Sequence, residues 1–166
     1  MDESKHASEV EVEARRRAKA ELGAGPEVHG RGQEVRGVTR SVLVVEDHPA
    51  LGELIRRFLA DAGYRVQVVG SSGEAESLWE REGGNFDLLI TDLGLPGKSG
   101  HSLAAGLFER KPSLKILYTS GYDRSSGSEK KVEGRYLQKP FSRQDLLDML
   151  RDMFDEPAPA GDPTVQ

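Results

Sequence analysis

Large apolar residues are scarce through residue 40, and then Val42-Leu43-Val44-Val45, opened by Ser41, forms an unbroken run that ends abruptly in Glu46-Asp47. A short apolar run without polar alternation predicts a strand buried on both faces of a sheet. Leu51, Leu54, Ile55, Phe58, Leu59 and Ala62 follow at offsets of 0, 3, 4, 7, 8 and 11. That is the spacing of one helix face, with Pro49 in its first turn and Gly63 as its stop. The alternation then repeats. Arg65 to Val69 reads as a second strand, Ser72 to about Glu82 as a second helix with Ala75, Leu78 and Trp79 inward, and Asp87 to Thr91 as a third strand ending at Asp92. A helix around Leu103 to Arg110, a strand Lys115 to Thr119, a polar stretch Tyr122 to Glu133, a short strand Tyr136 to Gln138 and a helix opened by Ser142 complete the series.

The last helix carries the widest apolar stripe, Leu146, Leu147, Met149, Leu150, Met153 and Phe154. The stripe reads chiefly as core, and its excess width is open to a dimer seam or a kinase-docking seam. Ser142 with Asp145 three residues on predicts a capping box in which Asp replaces the usual Glu or Gln. Strand-helix units repeated across about 115 residues predict parallel strands with right-handed crossovers, an open doubly wound α/β sheet with helices on both faces. Residues 1–40 read as a polar extension. Val10, Ala14, Ala18 and Leu22 mark one narrow helix face there, and Gly23 to Gly37 read as linker. Residues 155–166, rich in Pro, Ala, Gly and Asp, read as a disordered tail.

Composition narrows the chemistry. Cysteine is absent from all 166 residues, which excludes disulfides, thiolate metal sites and thiol nucleophiles together. Residues 1–40 hold 8 acidic and 8 basic residues, so the formal charge of −5 sits on residues 41–166. A mildly acidic domain without a basic run disfavours direct nucleic-acid binding. No apolar run approaches the length that spans a bilayer, and Met1-Asp2-Glu3-Ser4-Lys5 lacks the basic-then-apolar order of a signal peptide, so a cytoplasmic protein without membrane contact is expected.

In open sheets of this kind ligands sit beyond the carboxyl ends of the strands, where the winding reverses. There the first strand delivers Glu46 and Asp47, the third Asp92, the fourth Ser120 followed by Gly121, and the fifth Lys139 followed by Pro140. Two carboxylates about 4 Å apart repel by roughly 4 kcal/mol at an effective dielectric near 20, so the cluster calls for a counter-charge. A hard divalent cation with oxygen ligands supplies one. Mg²⁺ in particular accepts carboxylates, a backbone carbonyl and waters while leaving room for a phosphate oxygen. Lys139 adds a second positive charge. A carboxylate beside such charges can attack phosphorus, because they spread the negative charge that builds on the phosphoryl oxygens.

Together, Val44-Val45-Glu46-Asp47, Leu89 to Gly100, Tyr118-Thr119-Ser120-Gly121-Tyr122 and Leu137-Gln138-Lys139-Pro140-Phe141 give residues 41–154 a specific resemblance to the receiver domain of two-component response regulators. The phrases around Ser120 and Lys139 are most similar to receivers at the C-terminus of hybrid sensor histidine kinases. The resemblance implies a flavodoxin-like five-stranded sheet of order 2-1-3-4-5, the order the family itself exemplifies. It implies a phosphorelay in which a histidine kinase or phosphotransfer protein donates a phosphoryl group to Asp92, and catalysis limited to the domain's own phosphorylation and dephosphorylation. Carried over residue by residue, Asp47 would be a direct Mg²⁺ ligand, Glu46 its acidic partner, directly or through water, and Gly94 the donor of a carbonyl. Ser120 and Lys139 would bind the phosphoryl group, Pro140 would follow a cis peptide, and Ser120 and Tyr136 would be the switch positions.

The segment between Gly121 and Gly134, where the family has a helix, is short and polar here, which leaves the output face open. No effector domain follows Phe154, so the signal is expected to leave through a surface that meets a downstream protein. Tyr136 is also readable as a plain packing aromatic, and Gly97-Lys98-Ser99 as a nucleotide loop. The second reading fails because the glycine such a loop needs five residues earlier is Asp92. A Mg²⁺-dependent phosphoester hydrolase is a second reading of the site, disfavoured because position 94 holds Gly rather than a second acid. A phosphorylation-independent interaction module that binds through the Met149 to Phe154 face is the third. His6, His29, His48 and His101 share no metal-ligand spacing and read as surface or helix-start residues.

Overall fold

A computed structural model describes residues 39–121 and 132–155. The predicted helix face at Val10 to Leu22, the linker after it, the polar segment 123–131 and the C-terminal tail lie outside the described residues. The elements run β1 (Ser41–Val45), α1 (Pro49–Asp61), β2 (Arg65–Val69), α2 (Ser72–Arg81), β3 (Leu88–Asp92), α3 (Gly100–Arg110), β4 (Lys115–Ser120), β5 (Arg135–Gln138) and α4 (Arg143–Asp155). All four strand pairings are parallel, in the order β2-β1-β3-β4-β5. This is the flavodoxin-like doubly wound sheet expected from the pattern and the resemblance.

The period-2 alternation of a strand sorts each residue to one of two cores. Val42, Val44, Leu88, Ile90, Leu117 and Leu137 pack under α1 and α4 with Leu51, Ile55, Phe58, Leu146 and Leu150. Leu43, Val45, Leu89, Ile116 and Tyr118 pack under α2 and α3 with Ala75, Leu78, Trp79, Leu103 and Leu107. Strands β1 and β3 are buried along their whole length, which explains why their sequence shows no polar alternation.

Small departures from the expected boundaries have local causes. Ala62 lies past the end of α1 and is exposed; Gly63 at φ +95° turns the chain there. Asp87 stands before β3 because its carboxylate accepts from Ser41 N at 2.8 Å. Helix α3 begins at Gly100, before Leu103, because Ser99 caps it by accepting from Ser102 N. The capping box at α4 forms in both directions, Asp145 N to Ser142 Oγ at 3.0 Å and Ser142 N to Asp145 Oδ2 at 2.8 Å. In α4, Leu146, Leu147, Leu150 and Met153 are core, while Met149 and Phe154 are half-buried.

Gly100 brings the start of α3 against the end of β3. A Cβ at this position would stand 2.5 Å from the Asp92 carbonyl oxygen and 3.1 Å from Thr91 Oγ1. Alanine would gain at most about 1 kcal/mol of helix propensity, and the backbone contact cannot yield by a rotamer change. Gly100→Ala is therefore expected to destabilise the domain by about 1–3 kcal/mol, as overpacking does. Urea unfolding of the two proteins measures it, and a variant as stable as the parent would contradict the close packing of α3 on β3.

Candidate functional site

Parallel pairing sets the carboxyl ends of the strands along one rim. In register, Val45 faces Thr91 and Asp92 faces Thr119, so the residues just beyond them, Glu46 and Ser120, flank Asp92 on the neighbouring strands. On the far side Ser120 pairs with Gln138, and Lys139 N donates to Ser120 O at 2.8 Å, carrying Lys139 to the same rim. The Lys139-Pro140 peptide is cis.

One carboxylate oxygen from each of Glu46, Asp47 and Asp92 lies within 4.8 Å of the others. Glu46 and Asp92 are 3% and 8% exposed, and Asp47 is more open to solvent than either. Lys139, 6% exposed, reaches across the site: Nζ lies 3.0 Å from Glu46 Oε2 and 3.0 Å from Asp92 Oδ2. The second oxygen of each acid is held by the chain, with His48 N donating to Glu46 Oε1 at 3.1 Å and Gly94 N to Asp92 Oδ1 at 2.9 Å. Three acids around one ammonium leave a surplus of negative charge. The donor set is all oxygen and half-enclosed, and it fits a hard divalent cation.

Burial, the dominant influence, pushes the Glu46 carboxyl up from 4.5 to about 7, with Lys139 opposing and Asp92 reinforcing that rise. Burial acts to lower Lys139, but the charges of Asp92 and Glu46 and their hydrogen bonds outweigh it, and its ammonium is held above the ordinary lysine range. The folded protein thus binds the Glu46 proton more tightly than the unfolded chain does. The stability this gives is complete below about pH 4.5 and is lost as pH rises through about 7. The swing is roughly 3 kcal/mol. Metal-free Glu46→Gln is therefore expected to be more stable than the parent above pH 7 and to converge on it toward pH 5. Urea titrations of both proteins across that range measure the difference, and a gap that does not change with pH would contradict it.

All the residues expected from the sequence at the strand ends, Glu46, Asp47, Asp92, Ser120 and Lys139, come together at this rim. Gly94 is exposed in the loop after β3. Tyr136, half-buried on β5, stacks on Tyr118 with ring centroids 5.0 Å apart, and the Tyr118 hydroxyl donates to Val132 O at 3.1 Å. His101 is the second residue of α3, a helix-start position as expected, and its ring packs on Tyr118 at 4.6 Å. This aromatic group was not visible in the sequence, because Tyr118, His101 and Tyr136 share no spacing. Lys98, which suggested a nucleotide loop, instead pairs with Glu76, and Ser99 caps α3.

The response regulator receiver domain model matches residues 42–151. The chain belongs to this family. The receiver is similar to the response regulator protein FleR of Pseudomonas aeruginosa, 35% identical over 112 residues that make up 66% of this chain and 23% of FleR. It is also similar to the sensor kinase CckA of Brucella abortus, 29% identical over 119 residues, 70% of this chain and 13% of CckA. The chain thus spans less than a quarter of either relative. Among solved structures, the non-phosphorylated HemR receiver domain of Leptospira biflexa matches with a TM-score of 0.63 and 27% identity, covering 73% of this chain and 98% of that one. Receivers are phosphorylation-switch domains of two-component systems. Among the described residues, no helix is long and apolar enough to cross a membrane.

Proposed function

We propose that this receiver accepts a phosphoryl group on the Asp92 carboxylate from the phosphohistidine of a histidine kinase or phosphotransfer protein, in a Mg²⁺-dependent reaction. The observation that carries this reading is the shared rim: at the carboxyl ends of the strands the buried ammonium of Lys139 bridges Glu46 Oε2 and Asp92 Oδ2, 3.0 Å from each. Glu46, Asp47, Asp92 and the carbonyl of Gly94 would hold the ion. When bound, Mg²⁺ would neutralise charge on the phosphoryl oxygens and help orient them toward the attacking carboxylate.

The remaining roles follow from the chain's own groups. Gly94 N holds Asp92 Oδ1 and fixes the plane of the carboxylate, leaving Oδ2 on the Lys139 side. Attack of a carboxylate oxygen on phosphorus forms the acyl phosphate and releases the donor imidazole. Lys139 then exchanges the lost carboxylate charge for a phosphoryl oxygen, and the hydroxyl of Ser120, on the adjacent strand, donates to another. Ser120 and the ring of Tyr136 on β5 are the switch positions. Their shift changes the surface that β4 and β5 present to a downstream protein or to a second copy of the chain. The domain turns over only its own phosphoryl group and acts in the cytoplasm.

Incubation of the full chain with Mg²⁺ and acetyl phosphate is expected to add a single phosphoryl mass to the intact protein, and chelation is expected to prevent it. Continuous release of phosphate from many small esters would instead support a hydrolase. A protein that binds its partners equally with and without the adduct would support the phosphorylation-independent module.

A further inference from the structure

The loop of residues 93–99 between β3 and α3 carries Gly94, and its near end is tied to the site itself. Leu93 N donates to Thr119 O at 2.9 Å, and Gly94 N to Asp92 Oδ1 at 2.9 Å. Leu95 is buried in the core under α2 and α3, and Gly97 turns the chain at φ +79°. The far end of the loop is held from a different element. Ser72, in the first turn of α2 and 4% exposed, donates its hydroxyl to Lys98 O at 2.9 Å, and Lys98 Nζ pairs with Glu76 one turn further along α2.

Neither tie serves the local helix ends. Ser71 caps α2 by accepting from Glu74 N, and Ser99 caps α3 by accepting from Ser102 N. A buried hydroxyl is unfavourable unless it is bonded, and the bond Ser72 makes spans 26 residues to one carbonyl of this loop. Mg²⁺ demands near-octahedral geometry, so freedom of a single backbone ligand is felt directly as affinity. We infer that Ser72 is a positioning residue of the metal site: its hydroxyl, through the Lys98 carbonyl, fixes the loop that presents the Gly94 carbonyl beside Asp92. This rests on the Mg²⁺ reading of the site and extends it to α2. The buried hydroxyl outweighs the Lys98–Glu76 pair, since both of those side chains are 43% exposed and an exposed ion pair contributes little.

The test is a calorimetric Mg²⁺ titration of the full-length parent, Ser72→Ala and Lys98→Met, with the acetyl phosphate reaction followed in parallel over a range of Mg²⁺ concentrations. Ser72→Ala is expected to raise the half-saturating Mg²⁺ concentration about fivefold, the worth of one neutral hydrogen bond, while its rate at saturating Mg²⁺ stays near the parent's. Lys98→Met is expected to stay within about twofold. Should alanine unfold the chain, Ser72→Cys, which keeps the volume and weakens the donor, is held to the same criterion. A variant at 72 that titrates like the parent, or one whose loss falls on the saturated rate alone, overturns the positioning role. A parent that takes up no Mg²⁺ at all overturns the metal reading instead.

Discussion

Asp92→Asn is expected to take up no phosphoryl group from acetyl phosphate under conditions that phosphorylate the parent fully, while remaining as well folded. An amide oxygen lacks the charge and basicity to attack phosphorus, and no other acid at the rim has the same surroundings. Glu46 is held near pKa 7 by burial, and Asp47 is more open to solvent. Stability should change little, because two effects oppose. The variant loses the attraction to Lys139 at 3.0 Å but also the repulsion from Glu46 and Asp47, whose oxygens lie within 4.8 Å. At an effective dielectric near 20 these terms are of similar size, so a net shift within about 1 kcal/mol is expected. The carbonyl oxygen of asparagine can still accept from Gly94 N, so the loop after β3 keeps its anchor. Intact-protein mass spectrometry alongside urea unfolding separates lost chemistry from lost folding. An adduct of undiminished yield on the variant would move the phosphoacceptor away from residue 92.

How much of this could be read from the sequence depended on whether a signal was local or periodic. Val42 to Val45 announced a strand buried on both faces because no polar residue interrupts it, and α1 announced itself through the offsets of Leu51 to Leu59. Strands β1, β3, β4 and β5 each deliver a candidate residue at or just past their ends, so Glu46, Asp92, Ser120 and Lys139 were legible once the strands were. What escaped is contact between elements with no shared period. The hydroxyl of Ser72 meeting the Lys98 carbonyl, the ring of His101 on Tyr118, and the bare α-carbon of Gly100 against the Asp92 carbonyl all arise from how α2 and α3 lie on the sheet. The motif Gly97-Lys98-Ser99 is the opposite case: it is locally suggestive, Asp92 five residues earlier already argued against a nucleotide loop, and its lysine pairs with a helix glutamate. In the excess apolar width of α4, only the half-buried Met149 and Phe154 fall outside the core, and Phe154 is partly occupied by Tyr64 stacked at 5.9 Å and the Arg40 guanidinium at 5.2 Å.

Lys139→Met tests the electrostatics of the rim in two opposed directions at once. The ammonium is the positive charge shared by Glu46 and Asp92, and all three side chains are nearly inaccessible, at 6%, 1% and 11% exposed. Removing one partner of a buried ion pair leaves an uncompensated charge, and losses of about 3–5 kcal/mol are usual. Here the loss depends on pH. Without the lysine the Glu46 carboxyl rises further above its ordinary 4.5, so the loss is expected to be smallest near pH 5, where only the Asp92 side of the bridge is broken, and to grow as pH passes about 7. The same deletion removes the cation that competes with a divalent ion for these oxygens. Mg²⁺ should therefore bind the variant more tightly and recover much of the lost stability. Phosphorylation should not recover with it, because the fixed charge that would meet a phosphoryl oxygen is gone; a drop of about a hundredfold in rate at saturating Mg²⁺ is expected, the scale seen when one preorganised donor is removed. Tighter metal binding together with slower chemistry is a combination that general unfolding cannot produce. Weaker Mg²⁺ binding by Lys139→Met, or a rate equal to the parent's, would mean that the lysine supports the acidic cluster structurally and takes no part in the reaction.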